Sequence, residues 1–386
     1  VTGNDNIGDF KYLSTVGGGR NYVVGSAGNV TIGNSPDAPS NPDLKWEETS
    51  QLNIGFDTRL FNKITATFDW YKKVTTGILQ QVTIPGYVGA IGFPTGNVAD
   101  MENTGIDLEL GYANQFRDVN LSLNGNISFI ENEVTYLGNN VDFISGGESI
   151  QSTTYPITRT QVGLPIHSFY GFQTNGIFQN QSEIDAYVNS EGVVIQPDAR
   201  PGDFKWVDVD DDGDIDSDDR DFLGNSLPKV TFGLTLNMDY KNFDLMVFGQ
   251  GAAGNKIFQG LRRLDVSNAN YQTSALGRWV GEGTSNDFPR LTTSDNNNNF
   301  SNPSDFYLED GDYFRLKTVQ IGYTLPSRLL DKTGIQRLRI YFTAENLITF
   351  TKYSGYDPEI GGGVMGIDRG YYPQARTNQI GVNLQF

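Results

Sequence analysis

The chain has 386 residues, with 28 Lys+Arg against 46 Asp+Glu and a net charge of −18. That balance argues against nucleic acid as a partner, because phosphate binding needs a basic face. With no Cys and one His, His167, thiolate nucleophiles, disulfides and His-cluster metal sites are excluded. Low hydrophobic content (37%) beside 12% aromatics and 45 Gly points to many short strands and turns. No apolar run is long enough for a membrane helix, whereas a β-barrel span needs only about ten alternating residues. The chain starts at Val1 without the basic and apolar regions of a signal peptide, so a processed or truncated chain is expected.

Taken in chain order, period-two alternation recurs. A first span is expected near Phe10 to Val16. Leu52, Ile54, Phe56 and Leu60 then share one face, and after a turn near Asn62 so do Ile64, Ala66, Phe68 and Trp70. Ile106, Leu108, Leu110 and Tyr112 lead across a turn at 115–118 to Val119, Leu121, Leu123, Ile127 and Phe129. Phe232 to Tyr240 and Phe243 to Val247 flank a two-residue turn, Lys241-Asn242. Val319 to Leu325 precedes Leu338 to Phe342, and the chain ends on Ile380, Val382, Leu384 and Phe386. About ten spans are expected. Short connections (61–63, 115–118, 241–242, 326–336) alternate with long ones (79–103, 136–228, 257–312, 351–374). This is the asymmetry of an outer-membrane barrel, with tight periplasmic turns and long extracellular loops. Parity makes the strand-like Ser168 to Gln179 part of a loop hairpin. Trp70, Tyr71, Tyr112, Tyr240 and Tyr323 are candidates for interfacial aromatic girdles.

The run Asp208-Val209-Asp210-Asp211-Asp212-Gly213-Asp214-Ile215-Asp216-Ser217-Asp218-Asp219 fits the D-x-D-x-D-G calcium-loop pattern. Asp208, Asp210 and Asp212 occupy ligand positions, and Gly213 makes the sharp turn. Asp214 offers its backbone carbonyl, Asp216 acts through water, and Asp219 closes the loop. Asp219 in place of Glu resembles dockerin-type loops. Gly224 and Pro228 come too soon for a following helix. Ten Asp lie between Asp203 and Asp221, against Lys205 and Arg220, so a structural Ca²⁺ is expected to relieve their repulsion. No catalytic residue is assigned: His167 stands in no nucleophile-base order. Gly17-Gly18-Gly19-Arg20 and Gly361-Gly362-Gly363 lack a phosphate-loop context. Asn296 to Asn299 reads as a loop tip.

Four segments carry a resemblance: Asn41-Pro42-Asp43-Leu44-Lys45-Trp46-Glu47; Ser168-Phe169-Tyr170-Gly171-Phe172 with Asn175-Gly176-Ile177-Phe178; Pro201-Gly202-Asp203-Phe204-Lys205-Trp206 with Gly224-Asn225; and Ala344-Glu345-Asn346-Leu347 with Tyr356-Asp357-Pro358-Glu359. In order and content they resemble the SusC/RagA family of TonB-dependent outer-membrane transporters of Bacteroidetes. The resemblance implies an all-β, antiparallel transmembrane barrel, about ten strands of 22, with residues 1–386 forming its C-terminal part and 136–228 an extracellular loop region. It implies a bacterial outer-membrane location, no enzymatic activity, and TonB-powered import of a glycan or peptide under a SusD-like lipoprotein lid. The remaining N-terminal half, with the plug and the TonB-binding segment, must then come from elsewhere, because ten spans cannot enclose so wide a lumen. Two other readings stay open: a non-transporting barrel that scaffolds an outer-membrane complex, and a secreted, Ca²⁺-binding, carbohydrate-binding β-module.

Overall fold

The computed structural model describes residues 10–23, 25–26, 28–82, 84, 86–89, 91–138, 141–146, 153–263, 270–331, 334–360 and 365–386. The Gly361 to Gly363 run lies outside the described residues. Nine strands build one antiparallel meander: β1 (Glu48–Leu60), β2 (Ile64–Gln81), β3 (Thr95–Phe116), β4 (Val119–Leu137), β5 (Val230–Tyr240), β6 (Phe243–Ala253), β7 (Tyr313–Thr324), β8 (Arg337–Thr351) and β9 (Thr377–Gln385). Every neighbour in the sheet is a neighbour in sequence, and β1 and β9 are its two edges. The expected tenth span near Phe10 to Val16 does not join this sheet. Its residues form a turn and a two-residue bridge, Val16–Gly17 against Ser35–Pro36. That stretch has too few alternating apolar positions to extend a ladder.

Register explains why the alternation was so regular. Phe56, Phe68, Leu108, Ile127, Phe232, Gly251, Phe314 and Phe350 are successive Cα partners across eight strands. One residue further along, Asp57, Thr67, Glu109, Asn126, Gly233, Gln250, Arg315 and Thr349 form the adjacent row. A one-residue slip would exchange the two chemistries, so register is strongly specified. Among the described residues no second layer covers the apolar rows: Phe56 is 60% exposed, Leu234 45% and Ile380 80%, and the rings touch only within a row, Phe56 on Phe68 and Phe232 on Phe314. A water-soluble sandwich would bury them, and the secreted-module reading fails on this point. The polar face is cross-linked instead. Thr67 donates to Asp57 at 2.6 Å, Gln320 to Thr343 at 2.8 Å, and Arg339 bridges Gln320 and Asp244.

All short turns fall at one end of the sheet and all long connections at the other, as expected. Between β1 and β2, Phe61 and Asn62 both take positive φ (53° and 57°), as a twist-matched hairpin turn requires. The connection 136–228 adds no crossing, since β4 and β5 pair directly from Val119↔Tyr240 to Phe129↔Val230. One expected loop is much shorter. β2 runs to Gln81 and β3 starts at Thr95, so nearly half of 79–103 is paired wall and the connection shrinks to 82–94. There the formerly apolar face carries Thr104 and Glu102 opposite Lys72 and Val74. The ladder continues past the hydrocarbon zone although the alternation stops.

Aromatics cluster at the short-turn end, where Phe243 and Tyr323 rings stand 4.7 Å apart beside Tyr240. Tyr112 shares this apolar face near the same end. Tyr71 does not belong to the girdle. It lies on the polar face, its ring covering Gly105, where an added Cβ would collide with it. Trp70 sits mid-strand rather than at a strand end. Gly105→Val is expected to displace the Tyr71 ring and cost about 1–3 kcal/mol. The yield of heat-resistant folded barrel checks this, and a yield equal to wild type would contradict the close approach.

Candidate functional site

The main hydrophobic core is not in the wall, which buries only a small cluster, Ala99, Val134 and Leu137, near the long-connection end. The main core lies where three long connections (138–229, 254–312 and 352–376) fold together beyond the strand ends. Phe169, Phe172, Phe204, Trp206, Phe258, Phe300, Phe306 and Tyr307 pack with Ile157, Ile177 and Ile367. Phe204 meets Trp206 and Phe306 at tilted angles, with ring centres 5.4 Å and 5.1 Å apart, and Phe258 stacks on Tyr307 at 4.8 Å. Each such side chain contributes about 1.5–3 kcal/mol by leaving water. The connections therefore form a folded body rather than free loops.

A buried polar knot ties it. Asp203 is fully buried. It takes the Arg290 guanidinium at 2.7 Å, the Asn299 amide at 2.8 Å and the Arg200 N–H at 2.8 Å. Asn297 donates to the Phe204 carbonyl, and Gln196 both donates to that carbonyl and accepts from the Trp206 N–H. Asn297 and Asn299 are buried while Asn296 and Asn298 stay exposed, so alternate members of the Asn run fasten the interior rather than all forming a loop tip. Asp203 likewise leaves the count of uncompensated acids.

Residues 208–219 lie on this body's surface, against 187–195. The carboxylates of Asp208, Asp210 and Asp212 come together with oxygens within 4.8 Å. Gly213, at φ +88°, donates its N–H to Asp208 Oδ2 at 2.9 Å, and Asp214 N–H donates to Asp212. Asp214 and Asp216 stand apart: their carboxylates accept from Ile215 and Asp218 N–H. Asp219 is buried and acts as a staple, accepting Val209 N–H at 2.7 Å and Asp216 N–H at 2.8 Å. Burial, with the charges of Asp208 and Asp210 behind it, raises the Asp219 carboxyl above the usual range despite those two hydrogen bonds. Asp208 Oδ1 is buried and takes no hydrogen bond among the described residues. No helix follows: the strand Asp221–Gly224 does, as Gly224 and Pro228 required.

A second cluster sits on the polar face of the wall and was not foreseen. Arg315 on β7 is buried. It pairs with Asp357, with Glu359 at 2.8 Å and with Thr349 at 2.7 Å, while Lys317 holds Glu359 at 2.7 Å. The segment after β8 thus folds back against the polar side of the sheet. Periodicity could place Arg315 on that face but gave no sign of its partners, 42 and 44 residues away. His167 has a positive φ (54°), and burial lowers its imidazole pKa.

The four marker segments now have physical roles. Asn41 donates to Thr95 O, Glu47 accepts Leu79 N–H, and the first marker thereby stitches onto β2 and β3. The second and third supply the aromatic core and Asp203. Asn346 takes φ 51° at the bulge where β8 slips against β7, a conformation Asn tolerates. Asp357 and Glu359 are the wall anchors.

A model of the TonB-dependent receptor-like β-barrel matches residues 3–189. TonB-dependent receptor P3 of Formosa agariphila is 32% identical over 362 residues, covering 90% of this chain and 35% of that protein. TonB-dependent receptor SusC of Bacteroides thetaiotaomicron is 28% identical, covering the whole chain and 37% of SusC. The RagAB peptide importer in its open-open state superposes over the whole chain with TM-score 0.78 at 25% identity, spanning 39% of that structure. Along its whole length the chain is thus similar to part of the TonB-dependent receptors of the SusC and RagAB kind.

It spans little more than a third of the length of the relatives it matches. The nine-stranded wall is accordingly a partial outer-membrane barrel, whose apolar rows meet lipid and whose polar rows face the lumen. Receptors of this family are not enzymes, and no residue here is assigned to bond making or breaking.

Proposed function

We propose that the complete receptor imports a glycan or peptide nutrient through the lumen, driven by TonB, with a SusD-like lipoprotein seated as a lid on the folded body of long connections. On this reading those connections, 136–228 included, are extracellular. One observation carries it: a wall with a lipid row beside a hydrated row, capped at one end by a body with its own core. The similarity to SusC and to the RagAB peptide importer supports the same reading. Uptake of candidate oligosaccharides and peptides by a receptor-deletion strain, complemented with the full-length gene, tests it. Uptake should require the receptor and an energised membrane, and the lipoprotein should co-purify. A receptor that reaches the membrane and binds its lipoprotein, yet supports no uptake, would favour the scaffold role.

Loop 208–219 is proposed to hold a structural Ca²⁺ on Asp208, Asp210 and Asp212, with the Asp214 carbonyl, Asp216 through water, and Asp219 closing the ring. The gathered oxygens, the unpartnered Asp208 Oδ1 and the raised Asp219 carboxyl support this, because a divalent cation offsets all three costs. Calorimetric Ca²⁺ titration of the receptor and an Asp210→Ala variant provides the check. Wild type should bind and the variant should lose at least about tenfold in affinity, the loss of roughly 1.4 kcal/mol. Equal binding, or none in either, removes the metal.

A further inference from the structure

A four-stranded sheet in the folded body runs in the order Asp221–Gly224, Ser168–Gly171, Thr158–Gln161, Phe143–Gly146. Thr158, Thr160 and Phe169 are buried beneath it. The opposite face carries Arg159, Gln161 and Tyr170, with Phe143 and Phe222 exposed at its flanks. The Arg159 guanidinium lies 3.8 Å from the Phe143 ring centre and 3.6 Å from that of Tyr170. Arg220 stands over Tyr155 at 4.4 Å and reaches the same Tyr170 ring at 5.9 Å.

Two cations therefore share one aromatic ring in a chain of net charge −18. Among the described residues neither has a carboxylate partner. Arg220 donates only to the Ser217 carbonyl, at 3.1 Å. Asp218 and Asp221 are nearby, but Asp218 accepts the Ser217 hydroxyl, and Asp221 accepts the Gln173 amide and the Phe222 N–H. Ring stacking uses the flat faces of a guanidinium and leaves its in-plane donors free. Packing thus accounts for the faces of Arg159 but not for its N–H edge. Gln161 Oε1 on the same face is also buried without a partner.

We infer that this face binds an anionic sugar, its carboxylate or phosphate held by the in-plane donors of Arg159 and Arg220 and its ring resting on Phe143 or Phe222. The site lies beyond the import reading and stands or falls without it. The sugar can come from a soluble acidic oligosaccharide or from the phosphorylated headgroup of an outer-leaflet glycolipid. Phe222 also lines a crevice of about 900 Å³ with Trp70, Phe129 and Lys229, at the upper rim of the apolar belt, so a membrane source is within reach.

The test uses the full-length receptor in two arms. In detergent, tetragalacturonate is titrated against a neutral galactose tetramer and tetraglutamate. In nanodiscs, bilayers with and without lipid A are compared. At least one anionic sugar probe should bind wild type, weaken with added salt, and lose about tenfold or more in Arg159→Gln, with Arg159→Lys intermediate because it keeps the charge but not the fork. Tetragalacturonate alone identifies a soluble ligand, and lipid A alone a membrane one. The inference is overturned if the neutral tetramer or tetraglutamate binds as well as the acidic sugar. It is also overturned if Arg159→Gln, folded by its proteolysis pattern, binds like wild type. Should that variant not fold, salt-insensitive binding by wild type is enough to reject it.

Discussion

Leu108→Arg should sharply reduce the amount of folded receptor in the outer membrane, whereas Glu109→Arg, one residue away, should leave it nearly unchanged. Leu108 lies mid-belt on β3, with Leu110 and Tyr112 on one side and Ile106 on the other before Thr104 and Glu102 take over the face. Its row partners are Phe68 and Ile127. An Arg at that depth meets hydrocarbon and costs about 2–4 kcal/mol. Glu109 shares a row with Thr67 and Asn126, facing water in the lumen, where an Arg stays solvated. Heat-modifiable mobility of membrane extracts measures both. Equal loss, or loss only for Glu109→Arg, would reverse the assignment of the two faces and with it the barrel.

The second large effect concerns the folded body. Asp203→Ala removes the acceptor of Arg290, Asn299 and the Arg200 N–H from a site with no solvent access. Losing these charge-assisted hydrogen bonds, with Arg290 only partly buried and able to reach water, is expected to cost about 1.5–3 kcal/mol. Because the β4–β5 ladder is separate from this knot, the barrel should still assemble while the body opens. Limited proteolysis of receptor in membranes should then cut within the long connections, and binding of the proposed lipoprotein lid should fall. Asp203→Asn keeps an acceptor and the shape, so its effect should be smaller. Proteolysis of Asp203→Ala indistinguishable from wild type would show that the aromatic core alone holds the body.

Much of the wall was legible beforehand because its chemistry is one-dimensional. Leu52-Ile54-Phe56 and Phe232-Leu234-Leu236 alternate since each strand separates lipid from water, and that demand acts on every strand alike. The Lys241-Asn242 turn and the uncrossed 136–228 connection followed from the same pattern and from parity. The calcium-type spacing of Asp208, Asp210, Asp212 and Gly213 was equally local, and the structure gathers those three carboxylates. The failures came where the pattern ends. At Glu102 and Thr104 the strands leave the hydrocarbon zone and alternation stops, although pairing does not, so 79–103 read as a loop. Tyr71 looked like a girdle residue because its partner, the bare Gly105, is 34 positions away.

By itself, then, the sequence determined the two-faced sheet, its register, its lopsided connections and the acidic loop, all of which depend on neighbours within one strand or one turn. Only the tertiary structure decided that the long connections share an aromatic core, that Asp203 meets Arg290 and Asn299, that Arg315 draws Asp357 and Glu359 to the wall, and that Arg159 and Arg220 share Tyr170. These contacts join residues from about ten to about a hundred positions apart, where no periodicity links the partners. What brings them together is the burial of aromatic surface, which favours compaction without naming, in the linear chain, who will face whom.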